Sequence, residues 1–234
     1  MSKHSANRCL VAAVALLLGT CLGCWSQEEY EERLEETVKR LGQESAFTGM
    51  HPPAQLPGTQ VMVQLPQFFD PSPLPDDTDA ARLKPPSIEV PDLKSTYEGS
   101  ITDSEGGKIP FYCYLAATEK DPQRRLQQQF QTAFPEKVVK WQEVDCKTPD
   151  GGTRKWKKLQ GAGKQQKFYY RDKEQNGKFT DMATTSEFYL RQEGDFFVVI
   201  GWRVPTDIEK YIGPEGDRGL DVWASRVAGS VTVK

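Results

Sequence analysis

Histidine is almost missing from this sequence. His4 and His51 are the only two in 234 residues, and neither falls between residue 95 and the C-terminus. A serine–histidine–aspartate triad or a histidine-based zinc site is thereby excluded from that stretch. Carboxylate chemistry is not. Long apolar runs are missing too: the longest, Leu10–Trp25, has sixteen residues, against roughly 20 for a helix that spans a bilayer. Glu28, Glu29, Glu31 and Glu32 follow and stop it from lengthening. An excess of positive charge is also absent. With 30 basic and 33 acidic side chains the net charge is −3, which gives no global case for nucleic-acid binding.

What is present begins at the N-terminus. Lys3 and Arg8 precede the apolar run, and Gly19-Thr20-Cys21-Leu22-Gly23-Cys24 closes it. Basic residues, an apolar stretch and small residues, in that order, are the three parts of a secretory signal. The ending resembles the lipobox read by lipoprotein signal peptidase, where a leucine lies three places before the cysteine and Gly, Ala or Ser immediately before it. Cys24 has the small Gly23 but Cys21 at the third place back. Cys21 has Leu18 but the bulkier Thr20. The resemblance implies a signal peptide over 1–23 and lipid on Cys24, with Cys21 as the alternative. It implies residence in the cell envelope, on the periplasmic side of the outer membrane, because Trp25 rather than an aspartate follows. Each buried methylene adds about 0.8 kcal/mol, so a diacylglycerol plus an added acyl chain such as palmitate anchors stably where one chain is marginal. A retained transmembrane helix and a signal cleaved without lipid are the rival readings.

Loss of residues 1–23 removes Lys3 and Arg8 and no acid, leaving 28 basic against 33 acidic side chains, a net of −5. Of five cysteines, Cys9 leaves with the signal and Cys24 or Cys21 takes the lipid. Cys113 and Cys146 remain as a candidate disulfide, which an oxidising compartment permits, or as two free buried thiols.

Residues 26–41 read as an amphipathic helix within a membrane-proximal segment, 24–48. Ser26 and Glu29 form a capping box, Tyr30, Leu34, Val38 and Leu41 a stripe, and Gly42 a stop. Such a helix suits either partner docking or packing on its own domain. Between Gly49 and Pro91 lie ten prolines in 43 residues, which prevent continuous helix and interior strand. Residues 49–94 are therefore expected to be a proline-rich linker, with Val61–Leu65 adding at most an edge strand.

From residue 95 the texture changes to strands and tight turns. Tyr97–Thr102 and Lys108–Ala116 flank a Gly106-Gly107 turn as a hairpin. Asp121 and Pro122 start a helix running to Phe134, with Leu126, Phe130 and Phe134 on one face. Three glycine turns then punctuate a strand series. Val138–Cys146 and Arg154–Leu159 meet through Asp150-Gly151-Gly152, Lys167–Arg171 and the Phe179 segment through Asn176-Gly177, and Ser186–Gln192 and Phe196–Val204 through Glu193-Gly194-Asp195. Phe196–Trp202 is apolar on both faces, as expected of a central strand covered twice. Leu220–Ala228 is a second helix with Leu220, Trp223, Ala224 and Val227 inward, and Ser230–Val233 a closing strand.

This order predicts one α+β domain over 95–234, an antiparallel meander flanked by helices. It resembles the α/β/α sandwich shared by the photosystem assembly protein PsbP and the Ran-binding protein Mog1, in element order only; no functional motif carries over. The whole layout also resembles uncharacterised lipoproteins of planctomycete-type bacteria.

Between residues 137 and 178 twelve basic side chains face five acids, interleaved with Trp141, Trp156, Phe168, Tyr169 and Tyr170. Lys155, Lys157, Lys158, Lys164, Lys167 and Arg171 form a candidate anion-binding surface for anionic polymers or lipid headgroups. The same pattern arises when strands have one wet face and lysines guard exposed edges. Gly161-Ala162-Gly163-Lys164 lacks the five-residue lead and the following Ser or Thr of a phosphate loop. Asp76, Asp77 and Asp79 lack the register of a calcium loop, and Trp202-Arg203 is a candidate patch at a sheet end. No catalytic residue, metal or cofactor emerges. The expectation is a non-catalytic binding or assembly module, anchored to the membrane by its N-terminal lipid and partnered by another envelope protein or an anionic polymer. A carboxylate-dependent hydrolase and the basic–aromatic surface are the alternatives.

Overall fold

The computed structural model describes residues 31–35, 37, 47–74, 88–135 and 139–233. The signal segment, Cys21 and Cys24, and Asp76, Asp77 and Asp79 lie outside the described residues. The chain divides into two units, Met1–Ser45 and Ala46–Lys234. Of the first, Glu31–Glu35 and Thr37 are helical and exposed, within the helix expected over 26–41. No helix among the described residues is long and apolar enough to cross a membrane.

The second unit is α+β, with two antiparallel sheets. Its strands are β1 (Ala54–Gln55), β2 (Val61–Val63), β3 (Leu93–Thr102), β4 (Lys108–Thr118), β5 (Gln142–Lys147), β6 (Thr153–Arg171), β7 (Gly177–Glu193), β8 (Phe196–Pro205) and β9 (Thr232–Val233). Helix α1 (Gln123–Ala133) follows β4; a 3-10 helix (Thr206–Tyr211) and α2 (Leu220–Ser230) follow β8. The large sheet runs β3-β4-β8-β7-β6-β5, and the small one β1-β2-β9.

The large sheet is buried on both faces because β8 supplies apolar residues to each in alternation. Val198, Ile200, Trp202 and Val204 enter one core with Leu220, Trp223 and Val227 of α2. Val199 enters the other, with Leu126 and Phe130 of α1. This is the doubly covered strand that Phe196–Trp202 predicts. Helix α1 starts one residue later than expected, with Pro122 rather than Asp121 at the N-cap; Asp121, just before it, accepts from the Gln123 N–H at 2.9 Å.

Three expectations are corrected. Arg154–Leu159 and Lys167–Arg171 are parts of a single strand, β6, paired with β7 along its length. The glycines between them do not end it. Gly163, at φ +95°, absorbs a bulge between Ala162 and Lys164, and Gly161 leaves room for the Phe134 ring, which a Cβ would meet at 2.4 Å. Val61–Val63 is the middle strand of the small sheet rather than an edge, since β9 pairs with its free side. The stretch expected as linker is in part core: Met50, Leu56, Val61, Val63, Leu65 and Phe69 are buried against the α2 face. Prolines end the strands here without preventing them, and apolar side chains between the prolines supply the burial.

The end of β6 bends back to pair with β4 at Lys108↔Arg171. Tyr170 donates to Asp103 at 2.9 Å and Arg171 bridges Glu98 at 3.1 Å. Gly107 makes this approach possible, since a Cβ there would lie 1.9 Å from the Tyr170 hydroxyl.

Helix α2 closes on β5 through Gly229, where a Cβ would sit 1.8 Å from the Lys147 carbonyl oxygen. Glycine to alanine inside a helix ordinarily adds up to about 1 kcal/mol. Here Gly229→Ala is expected to cost about 1–3 kcal/mol by overpacking, read from the urea unfolding midpoint.

Candidate functional site

Among the described residues, a group of four interacting ionisable side chains lies between the large sheet and α2. Register places Lys158 of β6 directly opposite Tyr189 of β7. Glu187, two residues before Tyr189, points to the same side by strand alternation. Asp221 joins from the first turn of α2, where a carboxylate suits the positive end of the helix dipole. The Lys158 ammonium reaches Glu187 at 2.8 Å and Asp221 at 2.7 Å. It also stands 5.5 Å from the centre of the Tyr189 ring, and the Tyr189 hydroxyl donates to Glu187 at 3.4 Å.

Exposure separates the two carboxylates. The Glu187 side chain is 1% exposed and that of Asp221 79%. Burial pushes Glu187 from the usual 4.5 up to about 7, with the Lys158 charge and hydrogen bond pulling downward. Burial also opposes the Lys158 charge, yet Glu187 and Asp221 more than offset it and raise its pKa. The two directions are compatible because one ammonium serves two carboxylates. Burial raises Tyr189 as well, so it stays a hydroxyl donor.

Glu187 lies at the wall of a cleft of about 310 Å³, shared with Gln160, Glu209, Lys210, Arg218 and Asp221. The 3-10 helix brings Glu209 and Lys210, and the loop before α2 brings Arg218. A carboxyl that titrates near neutrality can give or take a proton at physiological pH. Chemically the group offers that proton, a fixed ammonium and a phenolic donor. Among the described residues no group of three or more His, Cys, Asp and Glu is placed to hold a metal.

The six candidate anion-binding residues do not share one surface. Lys155 and Lys157 lie on the pleat face of Leu159, toward α1, while Lys158 lies on the face of Trp156, toward α2. Beyond the bulge, Lys164 sits on the face of Phe168, and Lys167 and Arg171 on the opposite one. Three are held by acids: Lys155 by Glu143 at 3.6 Å, Lys158 by Glu187 and Asp221, and Arg171 by Glu98. Lys157 donates to Gln123 of α1 at 2.5 Å.

Trp202 and Arg203 are core rather than a sheet-end patch, both 1% exposed or less. Arg203 lies over the Phe168 ring at 4.3 Å and donates to Gln166 at 2.9 Å and to the Lys167 carbonyl. Cys113 and Cys146 are free buried thiols, with β8, β7 and β6 between their strands, and burial raises both. Of the two alternatives for this pair, the structure takes the free one.

Sequence reasoning singled out Lys158 as one basic residue among many and missed Glu187. The available signal was a lone acid inside Thr184–Leu190, a run that both cores cover.

Replacing Lys158 by Met leaves Glu187 buried without its counter-ion. A stability loss of about 3–5 kcal/mol is expected at pH 8, where Glu187 is ionised, and a smaller one at pH 5. The sign for Glu187 itself follows from its raised pKa. Its favourable contribution is fully present below about pH 4.5 and is lost as pH rises through about 7. Wild-type stability is thus expected to decline across that window, and Glu187→Gln to flatten the decline, both measured by urea unfolding.

No family model matches this sequence and no curated protein matches it, so function is read from the geometry alone.

Proposed function

We propose that this chain is a lipid-anchored protein of the cell envelope whose C-terminal unit is a non-catalytic binding or assembly module. The observation that carries this reading is the pairing of a signal-like N-terminus with a unit over 46–234 that has its own cores. In this reading Cys24 bears the lipid, Cys21 being the alternative, and the anchor faces the periplasm from the outer membrane. The unit is a sandwich of the PsbP/Mog1 kind, supported by the element order and by helices on opposite faces of one antiparallel sheet. With Met50, Leu56, Val61, Val63, Leu65 and Phe69 in the core, the tether in this reading is about residues 25–46. The partner is another envelope protein or an anionic polymer.

One observation favours a second reading. Glu187, Glu209 and Asp221 converge on one cleft, as a carboxylate-dependent hydrolase of envelope polysaccharide requires. Lys158 between two of them weighs against it, since a carboxylate tied to an ammonium is a poorer base. The basic–aromatic surface is the weakest of the three, because β6 divides its six cations between two faces.

Two experiments test these readings. Labelling the full-length chain with a palmitate analogue is expected to acylate it, with label lost in Cys24→Ser. Loss in Cys21→Ser instead moves the anchor, and an unlabelled wild type removes it. Purified full-length chain is expected to bind an envelope fraction saturably and to turn over no polysaccharide. Turnover abolished by Glu187→Gln would replace the binding reading with the hydrolytic one.

A further inference from the structure

Asn176 and Gly177 stand at the far end of the β6–β7 hairpin, and both are exposed. The chain reverses there through Asp172–Asn176. The Asp172 carboxylate accepts from the Asn176 backbone N–H at 2.8 Å and from its side-chain Nδ2 at 3.3 Å. The Asp172 N–H donates in turn to the Asn176 carbonyl at 3.0 Å. These bonds keep the Asn176 side chain against the turn, and none of them occupies its amide carbonyl.

Gly177 places a backbone nitrogen beside that amide. In an antiparallel ladder, hydrogen-bonded and non-bonded pairs alternate. The bond from Asp172 to the Asn176 carbonyl makes those two a bonded pair. Arg171 and Gly177, the next pair along, are therefore non-bonded, and the Gly177 N–H points away from β6. Strand β8 does not reach it, since its pairing with β7 begins only at Thr184. No side chain on Gly177 shields this nitrogen. A bulkier residue could not replace the glycine without rearrangement, because a Cβ would lie 2.0 Å from the Tyr169 hydroxyl.

We propose that Asn176 is a self-modification site, where the Gly177 backbone nitrogen attacks the Asn176 side chain and converts it to aspartate and isoaspartate.

The step needs only water. The Gly177 nitrogen gives up its proton and bonds to Asn176 Cγ. The Cγ–Nδ2 bond breaks, and Nδ2 leaves as ammonia with that proton. Water then opens the cyclic imide at either carbonyl. One opening leaves aspartate; the other leaves isoaspartate, with the main chain running through Cγ. Neither product fits the turn as asparagine does. A carboxylate at position 176 is acceptor-only and faces the Asp172 carboxylate, where an amide had donated. Isoaspartate lengthens the main chain immediately before the Arg171↔Gly177 pair. That pair matters to the sheet, because Arg171 also pairs with Lys108 of β4 and bridges Glu98 of β3 at 3.1 Å.

The test is to incubate the full-length chain at pH 6 and at pH 8, digest it and weigh the fragments. The fragment carrying residues 172–178 is expected to gain one mass unit and to become a substrate for an isoaspartyl methyltransferase. Conversion at pH 8 is expected to outpace that at pH 6 by at least about tenfold, since only the deprotonated nitrogen attacks and its share rises with pH. Asn176→Gln, whose longer side chain would have to close a larger ring, is expected to abolish the mass gain. A gain that persists in that variant overturns the proposal. So does a folded chain that keeps its mass while a free peptide of residues 170–180 gains it, and so does conversion seen only in urea.

Discussion

Burial of the six-stranded sheet on both faces is the constraint from which the rest of this structure follows. A strand covered once can turn its polar residues to water, but β8 and the adjoining half of β7 have no such side. Alternate residues of β8 go to different cores: Trp202 to the α2 face and Val199 to the α1 face. Each face then requires its own lid. Helix α1 is the lid on one side. On the other, α2 is joined by the small sheet β1-β2-β9, whose Val61 and Val63 complete the cover. That is why a proline-rich stretch far from α2 in sequence is drawn into the core.

The same constraint explains what was legible beforehand. Glu193-Gly194 announced its turn, with Gly194 at positive φ; Asn176-Gly177 marked the place of the other but not its form, since that turn is Asp172–Asn176 with Gln175 at positive φ and Gly177 opens β7. Helices α1 and α2 were legible from their stripes, and β8 from its double apolarity. The continuity of β6 was not. Gly161 and Gly163 look like breakers in sequence, and only the pairing with β7 and the Phe134 ring against Gly161 give them a place in a strand. The small sheet was hidden for a similar reason. Two of its strands hold two residues and the third holds three, and it depends on Val61 meeting Val233 across almost the whole unit.

The candidate site was harder to read than the fold. Twelve cations in a row of strands suggest a surface, yet a strand sends neighbours to opposite sides, and the bulge at Gly163 shifts the phase halfway along. Lys157 and Lys158 are adjacent in sequence and belong to different faces. Lys158 differs from the others because Glu187 lies beneath it, a pairing set by the β6–β7 register that composition cannot supply.

Among the described residues, each face of the sheet encloses one charged residue of 1% exposure, and the two are accommodated by different chemistry. On the α1 face Arg203 spreads its charge over Phe168 and Tyr112 and donates to Gln166 and a backbone carbonyl. A planar guanidinium suits aromatic faces. On the α2 face a carboxyl has no aromatic equivalent. It must be met by a cation or take up a proton, and Glu187 does both in part, with Lys158 beside it and its pKa raised to about 7. The α1 face thus meets its buried charge with aromatic and amide partners, while the α2 face meets its own with a cation and a raised pKa.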